Sequence, residues 1–141
     1  MAFSSAASTA ARCRPALTVL PDVLAIVRLP PDAAIPEWAW GGSLAAVTRT
    51  TEELSLVCAQ ESVPLGVQLS SGWRTLRVEG PLDLTLTGVL AELATTLAQA
   101  GIAIFAVSTY DTDYLLLRAS SLQRAVQVLV AAGHEVRPLL G

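Results

Sequence analysis

Leu86, Val89, Leu90, Leu93 and Leu97 recur at i, i+3, i+4, i+7 and i+11, which puts five apolar side chains on one face of a helix. Asp83, Thr85 or Thr87 can cap its start, and Gly101 closes it. Strand signals flank this helix. Trp73 to Gly80 (WRTLRVEG) alternates imperfectly and stops at Gly80-Pro81. Ile102 to Ser108 (IAIFAVS) is a continuous apolar run of strand length and reads as a central buried strand. The polar turn Tyr110-Asp111-Thr112-Asp113 leads into Tyr114 to Arg118 (YLLLR), a further strand. Ser120 or Ser121 then opens a second helix with the stripe Leu122, Val126, Leu129 and Val130, ended by Gly133, and Glu135 to Arg137 is a short last strand.

The order from Trp73 to Arg137 is therefore β-α-β-β-α-β. Two helices with one apolar stripe each must cover the same face of an antiparallel four-stranded sheet, which is the ferredoxin-like split arrangement. The N-terminal half is rich in strand signals and poor in helix signals. Val23 to Leu29, Ser43 to Thr48 and Leu54 to Ala59 read as strands, with Val67 to Leu69 as a fourth. Ile35 to Trp40 and Thr51 to Glu53 have room for single helical turns. This half reads as a degenerate copy of the same unit with shrunken helices. The predicted fold class is α+β: two ferredoxin-like βαββαβ lobes, the first degenerate, with antiparallel sheets and helices on one face. The predicted division is a flexible N-terminal tail at 1–15, a degenerate lobe at 16–71 and a regular lobe at 72–141, with Pro64 to Gly72 as the joint.

Composition narrows the chemistry. Apolar residues make up 52% and charged residues 15% of the 141 residues, enough apolar surface to offset the entropy of ordering a chain this short. All nine basic residues are Arg and the formal net charge is -3. Without Lys there is no Schiff-base or P-loop chemistry, and without a basic cluster nucleic-acid binding loses its driving term. Cys13 and Cys58 form no CxxC pair, and a single histidine, His134, leaves a zinc site short of ligands. Neither metal nor cofactor is expected. Leu17 to Val27 is interrupted by Pro21-Asp22 and too short to span a bilayer. The expectation is a cytoplasmic protein with reduced thiols.

The stretch Leu86 to Thr109 carries Gly88, Val89-Leu90-Ala91, Leu97-Ala98, Gly101-Ile102 and Ile104, and it resembles the ACT-domain signature. A narrower likeness rests on Arg49 to Cys58, Gly72-Trp73-Arg74, Gly80-Pro81-Leu82-Asp83 and Ser108 to Tyr114. With these segments the chain resembles the compact tandem-ACT proteins, small bacterial relatives of the cytosolic arginine sensors. The resemblance implies a regulatory, amino-acid-binding protein with its ligand between two lobes, read by a partner protein or a second copy. It carries over Ser108, Thr109, Tyr110 and Asp113 as ligand contacts and points to Ser55 as a wall from the first half.

The residues themselves admit this chemistry. Gly88, in the first turn of a helix, leaves backbone N–H groups open to a ligand carboxylate. Asp113 can accept an ammonium group through a charge-assisted bond. Each has a structural alternative: Gly88 permits tight helix-to-sheet packing, and Asp111 and Asp113 suit a hairpin turn. Glu52 and Glu53 read as turn or helix-start charges. Trp38, Trp40 and Trp73 suit core or interface packing better than an aromatic cage. An enzyme is not expected. Asp111-Thr112-Asp113 lacks the Lys and the following helix of a phosphotransferase, and Cys58 lies in an apolar run that keeps a thiol neutral. The competing reading is a ligand-free ACT-type module for protein–protein interaction or dimerisation.

Overall fold

The computed structural model describes residues 14–80 and 88–138. Its strands are β1 (Leu17–Val19), β2 (Leu24–Leu29), β3 (Ala46–Arg49), β4 (Leu54–Ala59), β5 (Leu69–Val78), β6 (Phe105–Ser108), β7 (Asp113–Arg118) and β8 (Val136–Pro138). The helices among the described residues are α1 (Val89–Gln99) and α2 (Leu122–Ala131), with 3-10 turns at Glu37–Trp40, Gln60–Ser62 and Ala119–Ser121. Cys13, Leu86 and the candidate caps Asp83, Thr85 and Thr87 lie outside the described residues.

Both βαββαβ units belong to one eight-stranded sheet. The first runs β2, 3-10 turn, β3, β4, 3-10 turn, β5, in the spatial order β3-β4-β2-β5. Its helices have shrunk to single turns, as the weak helical signal before Gly72 implies. The second runs β5, α1, β6, β7, α2, β8. The two units share β5, which continues without a break through the expected joint at 71/72. Trp73 pairs with Leu24 of β2 on one side and with Arg118 of β7 on the other.

The β2–β5 register slips by one residue between the pairs Leu24–Trp73 and Ile26–Ser70. This β-bulge contains Gly72, whose φ of 77° suits glycine. A second departure is β1, which periodicity does not reveal because it is only three residues long. It lies between β5 and β8, antiparallel to the first and parallel to the second, and sends Leu17 into the core beneath the helices.

Alternation along each strand sorts the side chains into three cores. Leu76, Val78, Leu115 and Leu117 face α1 and α2, meeting Leu93, Leu97, Ala125 and Leu129. Ala25, Val27, Leu54, Leu56 and Cys58 face the 3-10 turn that carries Ala39. The opposite faces of both units pack on each other in a seam of Leu24, Leu44, Val57, Trp73 and Leu116, flanked by Ile26, Phe105, Val107 and Tyr114.

Two sequence expectations change. β6 pairs only with β7 and is an edge strand, not a central one. Its run is apolar because Ile102 and Ile104 turn to the helices while Phe105 and Val107 turn to the seam. On α2 the inward stripe is Leu122, Ala125, Val128 and Leu129, and Val130 points outward. The small Ala125, fully buried, is the residue that the apolar-period reading passes over.

Candidate functional site

The seam is the one face shared by both units, and its composition changes along its length. On β2 the seam-facing residues are Leu24, Ile26 and Arg28. On β4 they are Val57 and Ser55, opposed by Ala46 and Thr48 of β3, and Glu53 lies just before the strand. At the Trp73 end the seam is closely packed. Trp73 is nearly buried, meets Phe105 edge-on with ring centroids 6.4 Å apart, and lies under the Arg118 guanidinium, 4.4 Å from its ring centroid. Arg118 also donates to the Ser71 carbonyl at 2.7 Å, and the Trp73 indole N–H donates to Ser70 Oγ at 3.0 Å. This cluster fixes Phe105 beside the bulge.

Towards the other end the seam opens into two adjoining clefts that share Ser55 and Phe105. The smaller, about 230 Å³, has Thr48 and Ser55 of the first unit on one wall and Val107 and Ser108 of β6 on the other. The larger, about 310 Å³, is bounded by Arg28, Glu53, Gln68 and Ser70 over a floor of Ile26 and Phe105. A volume of a few hundred Å³ matches a metabolite-sized ligand.

The β6–β7 hairpin orders the predicted Ser108–Asp113 segment. Ser108 and Asp113 are cross-strand partners, and the Ser108 hydroxyl donates to Asp113 Oδ1 at 2.6 Å. The Thr109 amide and hydroxyl both donate to the Thr112 carbonyl, at 2.8 and 3.0 Å. Thr112, buried, donates to the Val78 carbonyl at 2.7 Å and so ties the hairpin to the end of β5. Tyr110 at the tip is 81% exposed and lines neither seam cleft.

Gly88 precedes α1 with φ of 88°, and its carbonyl accepts the Glu92 amide at 2.9 Å. Among the described residues no side chain caps this helix start. Of the residues expected from sequence, Ser55 and Ser108 face each other across one cleft, and Asp113 and Thr109 adjoin Ser108. Gly88, like Tyr110, does not line these two clefts.

Cys58 is fully buried on the face away from the seam, and desolvation pushes its thiol pKa up. His134 sits in the other unit, its Nδ1 3.4 Å from the Pro15 carbonyl oxygen. Among the described residues no group of three or more His, Cys, Asp or Glu is placed to hold a metal ion. No described helix is long and apolar enough to cross a membrane.

Sequence reasoning passed over Arg28, Gln68 and Phe105 and took Glu53 as a plain turn charge. For Arg28 the signal is parity, since it follows Leu24 and Ile26 on one strand face, whereas Glu53 lies just before β4 and carries no such signal. That signal becomes legible only once the face is known to be covered by the second unit.

A paired set of βαββαβ units with the more regular one second defines the class. Residues 68–131, the second unit, match the ACT domain, and residues 22–65 match the model of a separate N-terminal domain. It is 30% identical over 122 residues to the bovine (Bos taurus) protein named cytosolic arginine sensor for mTORC1 subunit 1. That match takes in 79% of this chain but only 37% of the relative, so the chain spans little more than a third of the sensor's length. Protein Atu0741 of Agobacterium tumefaciens is 37% identical with a TM-score of 0.85, over 91% of this chain and 96% of that one. The ligand-free regulatory subunit of aspartate kinase from Thermus thermophilus shares the fold at 11% identity and a TM-score of 0.62, over 86% of this chain and 100% of that one.

Proposed function

We propose that this protein is a sensor that binds a small amino acid, or a similar metabolite, in the seam between its two ACT units. The observation that carries this reading is the placement of Ser55 and Ser108 on opposite walls of one cleft, one from each unit, with Asp113 bonded to Ser108. A ligand held there touches both units at once and stabilises one arrangement of them. A partner protein or a second copy that distinguishes the arrangements then reads ligand occupancy. The name of the bovine relative as an arginine sensor supports an amino acid as the ligand class. In this reading Ser55 and Ser108, with Asp113 and Thr109 beside Ser108, form the polar surround of the ligand. The protein works in the cytoplasm.

Thermal-shift screening of the twenty amino acids tests this. An amino acid at about 100 times its Kd adds roughly 2.7 kcal/mol of stability. Asp113→Ala, which releases the Ser108 hydroxyl at the cleft wall, is expected to reduce that shift while the unliganded melting temperature stays nearly constant, because the Ser108–Asp113 bond is exposed. No shift with any amino acid at millimolar concentration transfers the function to a ligand-free assembly module, for which β3, β6 and β8 offer sheet edges.

A further inference from the structure

We infer that the charged mouth of the larger cleft, Arg28 with Glu53, is the anchor for the zwitterionic end of an α-amino acid. This rests on the reading of the protein as an amino-acid sensor, and it assigns the ligand's two charges to residues outside the Ser108–Asp113 hairpin.

Arg28 and Glu53 line one cleft of about 310 Å³. Arg28 is the cross-strand partner of Ser55, and Glu53 lies just before the start of β4, two residues ahead of Ser55. Among the described residues no ion pair joins the two side chains. A guanidinium and a carboxylate that line one cavity without pairing complement a ligand that carries both charged groups on one carbon. An α-amino acid does so.

Both groups are held from below. One nitrogen of Arg28 donates to the Glu52 carbonyl at 3.2 Å. This steadies the side chain while most of its five N–H donors stay available for a carboxylate. The Glu53 backbone is clamped in a Thr50 turn: its amide donates to Thr50 Oγ1 at 3.1 Å, and its carbonyl accepts the Thr50 amide at 2.9 Å. Glu53 is therefore presented from a fixed hairpin end. Ile26 and Phe105 form an apolar floor for a ligand side chain, and Gln68 and Ser70 add hydrogen-bonding groups at the rim. The hairpin Asp113, by contrast, already accepts a hydroxyl from Ser108.

Calorimetry on the full chain tests the assignment, using the amino acid with the largest thermal shift, its N-acetyl derivative and its carboxamide. Wild-type protein is expected to lose tenfold or more in affinity for each blocked derivative. Arg28→Gln is expected to weaken the free amino acid at least tenfold and to remove the additional loss caused by the carboxamide. Glu53→Gln is expected to do the same for the N-acetyl group. If both variants bind like wild type while Asp113→Ala removes the sensitivity to N-acetylation, the anchor lies at the hairpin and this assignment falls, with the sensor function intact. If no amino acid binds the wild-type chain, both readings fall together.

Discussion

The amide of Gly72 donates to the side-chain oxygen of Gln60 at 2.6 Å. Gln60 opens the 3-10 turn that replaces the second helix of the first unit, and Gly72 is the bulge residue of the strand shared by both units. The bond satisfies an amide that the bulge leaves out of the β2–β5 ladder. It also ties the eroded helix position to the point where one unit becomes the other. The seam clefts lie immediately beyond this bulge, so the geometry of their rim depends on it.

Gly72→Ala is expected to destabilise the fold by about 1–2 kcal/mol, because φ of 77° disfavours any side chain. An added Cβ meets nothing within 4 Å, so the loss is conformational and not steric. Gln60→Ala strands the bulge amide and costs about 1–3 kcal/mol. Urea denaturation measures both, and a neutral Gly72→Ala overturns the requirement for a left-handed bulge residue.

The shared strand makes the two units one folding unit. Leu116→Ala, at a fully buried seam position, is expected to cost about 2–5 kcal/mol. Tryptophan fluorescence and far-ultraviolet dichroism should then still report one coincident transition. Two separate transitions in the wild-type chain contradict this coupling.

Acid should loosen β1 first. The Thr18 hydroxyl, and then the Arg77 guanidinium 3.5 Å away, hold the Glu79 carboxyl below its usual pKa. A depressed carboxyl pKa stabilises the fold above the unfolded glutamate value of about 4.3, and this contribution is lost as pH falls through the lower folded value. Thr18→Val removes the leading cause. The stability difference between wild type and Thr18→Val should be constant above about pH 5 and shrink on acidification. A difference that does not change with pH assigns the effect to packing alone.

Much of this architecture is legible in the chain. The periodicity of Val89, Leu93 and Leu97 foretells α1, and the strand at Leu54–Ala59 is delimited to the residue, because a covered face must be apolar at regular intervals. Three-residue β1 is too short to carry a period. The extent of β5 is hidden because Gly72 resembles a turn glycine when it is a bulge glycine. In the candidate site, Ser108 and Asp113 come from the family resemblance, and their bond is local to one hairpin, whereas their relation to Ser55 spans more than fifty residues.

The sequence alone determined that this protein would have two βαββαβ units, since local periodicity and turn residues specify strands and helices within a few neighbours. It also excluded lysine chemistry and a basic nucleic-acid surface through composition. Only the tertiary structure decided that the units share one strand, that β6 lies at an edge, and that Arg28 and Glu53 line the same cleft. Those are long-range pairings. They depend on which faces of two strand pairs stack, and a side chain's own neighbours in the chain do not encode what covers it.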